Sequence, residues 1–172
     1  MTTDQRVELT ERTLTHDDFT HAISTWVSVP PEVAFDYVSD ITRHPEWADS
    51  PMTVEPLDEP PVRVGSRFRA VGHQGGRDWP SDLVVTACDR PTRFAFTATG
   101  GPIPTVGDRL HRHEFLFREE RGGTRLEVRR ANPIPNRTTR LLLPLVTRYA
   151  LRVRFRTIEN LRRRLEDLDR AG

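Results

Sequence analysis

Residues 145–168 read LVTRYALRVRFRTIENLRRRLEDL, and the spacing of apolar side chains in this stretch decides the architecture. Leu151, Phe155, Ile158, Leu161, Leu165 and Leu168 recur at intervals of 4, 3, 3, 4 and 3, the repeat of one face of an α-helix. Arg152, Arg156 and Arg163 fall away from that stripe. A helix from Leu145 to Leu168 spans ~36 Å at 1.5 Å per residue, enough to cross a small β-sheet. Pro144 interrupts the preceding run Leu141–Val146, so the helix is expected to start there or to kink.

Upstream the period is two. Ala22–Val29 is β-rich, with Ile23, Val27 and Val29 on one parity, and Pro30-Pro31 stops the strand because proline brings no N–H to a ladder. Proline suits a first helical turn, so Glu32–Val38 reads as a short helix, followed by a helical turn at His44-Pro45-Glu46-Trp47. Strands are expected near Thr53–Leu57, Arg67–His73, Leu83–Asp89, Arg93–Ala98, Arg109–Arg118 and Thr124–Arg130. They are separated by Pro60-Pro61, Gly75-Gly76, Pro91, Gly100-Gly101-Pro102 and Gly122-Gly123. Connections this short favour an antiparallel meander, since parallel neighbours need crossovers of about a dozen residues. Residues 1–18 are polar and acidic, either a frayed tail or an added strand pair, and residues 19–172 make one domain.

Composition narrows the function classes. The chain has 172 residues, 35% hydrophobic and 30% charged, which describes a globular domain with a lean core. A formal net charge of +1 gives no overall pull toward nucleic acid or an anionic membrane. All 26 basic residues are Arg, as expected of a GC-rich coding bias. One cysteine, Cys88, excludes an intrachain disulfide and a thiolate-rich metal site. Neither a leader-like apolar segment nor a membrane-length run is present, so a cytoplasmic protein without stable membrane insertion is expected.

The joints between elements resemble the START-like helix-grip (SRPBCC) superfamily, in its polyketide cyclase/dehydrase-like branch. The matching stretches are Ser28–Phe35, Val38-Ser39-Asp40 with His44–Trp47, Val64–Phe68, Asp89–Phe96 and Gly122–Leu126. Together they cover roughly residues 20–168. The resemblance implies an α+β helix-grip fold: a curved seven-stranded antiparallel sheet wrapped around the long C-terminal helix, with two short helices after the first strand. It implies an internal cavity between sheet and helix for a hydrophobic small molecule. Since one helix cannot fill so curved a sheet, a pocket of ~300–1,000 Å³ is expected. The fold hosts carriers, receptors and cyclases alike, so it leaves the activity open.

The strand Leu110–Phe117 is the most informative for chemistry. Period two puts His111, His113, Phe115 and Phe117 on one face. If that face is the inner one, two imidazoles serve as polar handles or as an acid/base pair in an apolar pocket; otherwise they sit at a solvated rim. Trp79, Phe68, Phe94 and Phe96 are candidate wall residues, with plain core packing as the competing role. Trp47 and Tyr149 are candidates at the cavity mouth and the helix start. Arg69 and Arg130 are expected to face outward in salt bridges, because a buried unpaired Arg is costly. His111 and His113 lack an evident third ligand, so no metal or other cofactor is expected. No nucleophile elbow, phosphate loop or carboxylate pair stands out.

These readings converge on a protein that binds an aromatic, polycyclic or lipid-like molecule, as a monomer or homodimer and without nucleic acid. A polyketide aromatase/cyclase would instead use His111, His113, Tyr149 and Arg69 to direct aldol closure. A lipid or quinone carrier would turn the nine arginines between Arg140 and Arg170 toward a membrane.

Overall fold

Eight strands pair into one antiparallel sheet. The computed structural model describes residues 6–15, 18–100, 110–134 and 137–171, except the side chains of 137–146, 149 and 171. In chain order the strands are β1 (Glu8–Leu14), β2 (Asp18–Val27), β3 (Met52–Pro56), β4 (Arg67–Gln74), β5 (Arg77–Asp89), β6 (Arg93–Ala98), β7 (His111–Glu120) and β8 (Gly123–Pro133). Helix α1 (Pro31–Ser39) and a 3-10 turn (Ile41–Glu46) follow β2, and α2 (Arg137–Ala171) ends the chain. The spatial order is β1-β2-β8-β7-β6-β5-β4-β3. The sheet therefore has eight strands rather than seven, because residues 8–14 add an edge strand along β2.

Local chemistry explains most of the turns. At the β4–β5 turn Gly75 and Gly76 have φ of 62° and 70°, and at the β7–β8 turn Arg121 and Gly122 have φ of 53° and 74°. Two consecutive positive φ values make the tight hairpin turn whose twist matches that of its strands. β5 begins at Arg77, earlier than expected, and contains Pro80. That proline is tolerated because the pairing of β5 with β6 reaches only from Leu83 to Asp89, so residues 77–82 pair with β4 alone. A bulge between Val85 and Ala87 adds local bend to the sheet.

α2 begins at Arg137 and continues through Pro144, neither starting at the proline nor ending there. Its predicted stripe faces the sheet: Ile158, Leu161 and Leu165 are buried in the main core, while Leu168 at the end is 37% exposed. On the opposite flank α1 buries Ala34, Phe35, Tyr37 and Val38. Its outer face is tied down by Arg90, whose Nε and Nη2 donate to Asp36 at 2.7 and 2.9 Å. The Tyr37 hydroxyl donates to Glu46 at 2.8 Å and links helix to turn.

Candidate functional site

Strand register divides the concave face into an apolar end and a polar end. At the apolar end Ile23, Val128, Phe115 and Phe94 lie side by side across β2, β8, β7 and β6. Phe35 of α1 meets Phe94 and Phe117 edge-on, at centroid distances of 6.2 and 5.6 Å. The 3-10 turn contributes His44 and Trp47, whose rings lie 4.5 Å apart and lean on Phe96 and Phe115. His44 Nε2 donates to the Val38 carbonyl at 3.0 Å, while the buried Trp47 Nε1 has no partner.

One step along the strands the composition changes. His21 of β2 pairs with Arg130 of β8, Arg130 pairs with His113 of β7, and His113 pairs with Phe96 of β6. Neighbouring strands are about 4.8 Å apart, so these side chains form one row across the inner face. His113 stacks on Phe96 at 4.6 Å with the rings 20° from parallel. In the next row His111 Nδ1 donates to Asn132 Oδ1 at 3.3 Å, and Asn132 Nδ2 donates to the Phe19 carbonyl at 3.5 Å. The polar rows lie toward the end of the sheet where β7 begins and β8 runs on toward α2.

α2 covers the polar row with Arg154, Thr157 and Ile158. Together with His21, Ile23, Val128 and Arg130 they enclose a cavity of about 10 Å³, room for roughly one water molecule. These seven residues bound far less than the expected several hundred Å³. Elsewhere on the concave face residues of α1 and the 3-10 turn pack with the rings of Phe35, Phe94, Phe96, Phe115 and Phe117 in the main core.

Electrostatics set this cavity apart from ordinary core. His21 is 2% exposed and neither ring nitrogen has a hydrogen-bond partner; His113 Nδ1 and Arg154 Nε are likewise buried and unpartnered. Burial, and then the Arg154 charge, lowers the His21 pKa to about 4. Burial first, then Arg154 and the neighbouring imidazoles, holds His113 well below its usual value. Burial alone brings Arg154 down to about 10, so it stays cationic at neutral pH. Among the described residues no carboxylate lines the cavity. The site thus presents guanidinium charge and neutral imidazoles with unused hydrogen-bonding capacity.

The sequence-predicted residues distribute as follows. His111, Phe115 and Phe117 are buried on the inner face, and His113 shares their parity with its Nδ1 buried. Phe68, Phe94, Phe96 and Trp47 are buried in the main core. Trp79 is half-buried near the β4–β5 hairpin, its Nε1 donating to the Gln74 carbonyl at 3.3 Å, outside that core. The Tyr149 side chain lies outside the described residues. Arg69 is exposed and donates to Asp82 at 3.0 Å, which removes it from any cavity chemistry. Arg130, expected outside, lines the cavity instead. His21, His44 and Arg154 were missed. The signal for His21 was its parity with Ile23 and Val27, and for Arg154 its position three after Leu151 and four before Ile158.

Part of the positive charge of α2 is neutralised within the helix. Arg162 bridges Glu159 and Glu166, Arg163 also reaches Glu159, and Arg170 reaches Asp167. No helix among the described residues is long and apolar enough to cross a membrane.

Comparison with known proteins adds a family. The chain resembles solved structures from Rhodobacter sphaeroides (17% identity over 95% of this chain and 99% of that one, TM-score 0.68) and Mycobacterium smegmatis (Ms6760; 18%, 92% and 97%, TM-score 0.64). It also resembles the di-domain ARO/CYC StfQ from the steffimycin biosynthetic pathway, at 16% identity over 87% of this chain and 45% of that one, with a TM-score of 0.61. At these identities the likeness is one of fold. No curated protein matches the chain. Residues 18–166 match the family described as polyketide cyclase / dehydrase and lipid transport; with that match spanning all but β1 and the last residues of a helix-grip fold, the chain belongs to this family within the START-like superfamily.

Proposed function

We propose that the protein binds a hydrophobic small molecule, aromatic or lipid-like, between the sheet and α2 at the β2–β8–α2 cavity. The observation that carries this reading is the set of buried, unpartnered nitrogens on His21 and Arg154, two residues that line that space. Buried polar atoms are nearly always satisfied, and here unpaired nitrogens converge on a small space that a ligand's polar end could enter. The apolar walls Ile23, Val128 and Ile158 suit a ligand that is hydrophobic apart from one polar end. The 10 Å³ of free space accommodates only that polar end, so binding entails displacement of α2 or of the rings beside it.

The test is native mass spectrometry of freshly purified protein, together with binding of naphthalene-based and acyl-chain probes. A stoichiometric bound species, or saturable probe binding lost in His21→Trp, is the expected result. Empty protein with no saturable probe binding overturns the reading. A cyclase activity finds weaker support. A base with a pKa well below neutral is a poor proton acceptor, Arg69 is committed to Asp82, and only the inward-facing His113, stacked on Phe96, favours it.

A further inference from the structure

The charges around the cavity identify the kind of polar end it takes. This inference rests on the cavity being a ligand site and specifies the ligand's chemistry. We infer that His21 and Arg130, closed from above by Arg154, form a receptor for one anionic oxygen group, so that the ligand is a hydrophobic acid: a carboxylate, or an enol or phenol that binds ionised.

Two arginines from different elements, Arg130 of β8 and Arg154 of α2, line one small cavity with no carboxylate among its described lining residues. Desolvating guanidinium charge without a counter-charge is expensive, and the usual remedy in a folded protein is a paired carboxylate. Here Arg162, two turns further along the same helix, shows that remedy with Glu159 and Glu166. Arg154 Nε has no such partner. A single water would give hydrogen bonds but no charge, whereas a carboxylate brings charge and several acceptor sites. A neutral imidazole carries one N–H and one bare nitrogen. With both His21 nitrogens unpartnered, that N–H is free to donate to the same oxygen. His113 sits across Arg130 from His21 in the row, and its ring stacked on Phe96 gives an aromatic surface beside the charge. The ligand's apolar part then meets Ile23, Val128 and Ile158.

The experiment compares matched acids and amides on the full-length protein at pH 7: 2-naphthoate against 2-naphthamide, and decanoate against decanamide, by isothermal titration or equilibrium dialysis. One charge-assisted contact to a buried guanidinium corresponds to a preference of about 10- to 100-fold for the acid. In Arg154→Gln that preference falls below about threefold while amide binding is retained. Because this variant removes a buried side chain, a wild-type measurement stands beside it. Naphthoate, but not naphthamide, shifts the His21 ring-nitrogen resonances of nitrogen-15-labelled protein. Equal affinity for acid and amide overturns the inference and leaves the cavity reading standing. A preference that survives both Arg154→Gln and Arg130→Gln also overturns it, by placing the anion elsewhere. If none of the four compounds binds, the cavity reading fails and this one with it.

Discussion

Lowering the pH from 7 to 5 destabilises this protein by about 4 kcal/mol, through imidazoles that the fold keeps neutral. His21 and His44 are 2% and 6% exposed, and burial brings each from 6.5 to about 4. With the folded pKa below the unfolded one, the unfolded chain takes up protons first as the pH falls. The stability from keeping these rings neutral is therefore complete above about pH 6.5 and drains away down to about pH 4. At 1.36 kcal/mol per pH unit, each ring costs about 2 kcal/mol by pH 5, and His113, shifted the same way, adds to the loss. Carboxylates held low by arginine, such as Asp36 and Glu159, lose their contribution only below about pH 4, outside this window. Urea unfolding at pH 7, 6 and 5 measures the effect directly, and His21→Met, which preserves volume and removes one titrating group, recovers about 2 kcal/mol of it. A wild-type stability that changes by less than about 1 kcal/mol between pH 7 and 5 would refute the reasoning, as would a variant that loses as much as the wild type.

Three further outcomes are expected. Arg154→Met keeps the apolar stem and removes a buried charge whose pKa burial has brought to about 10, so the ligand-free protein gains about 1–3 kcal/mol. A thermal midpoint that falls argues that the guanidinium is satisfied in the free protein. Gly123→Ala places a Cβ 2.3 Å from the Val27 carbonyl oxygen and 2.6 Å from the Trp26 ring; since backbone must move, a loss of about 2–4 kcal/mol is expected, and urea unfolding with a change under about 0.5 kcal/mol would contradict it. Leu165→Ala empties a fully buried position where α2 meets the sheet and costs about 2–5 kcal/mol, read from the same denaturation curves.

Period and punctuation made much of this molecule legible. The phase of the α2 stripe, the antiparallel meander, and the shared face of His111, His113, Phe115 and Phe117 follow from spacing alone; that this face is the inner one does not. What spacing does not contain is which strands become neighbours. His21 and Arg130 are more than a hundred residues apart in sequence, and only the β2–β8 pairing sets them side by side. The same gap hid the inward turn of Arg130, for which the cost of an unpaired buried charge argued the other way. Cavity size was illegible for a different reason. It is the remainder after many side chains have been fitted into one concavity, α1 and its aromatic neighbours among them. β1 was open between tail and strand because its residues, Glu8–Leu14, are mostly exposed as an edge strand and carry no strong alternation.

The β2–β8 pairing also orders events on the ribosome. The meander from β3 to β8 assembles as successive hairpins while the chain emerges, but β2 cannot find its central partner until Pro133, opposite Asp18, has been made. At about 5–20 residues per second, β2 waits several seconds with the edge destined for β8 bare and only β1 along its other side. That interval falls on a strand whose inner residues, Ile23 and Val27, are fully buried in the finished protein. An unpaired apolar strand edge is a template for pairing with another chain, so the β1–β2 hairpin carries that exposure until β8 has been made.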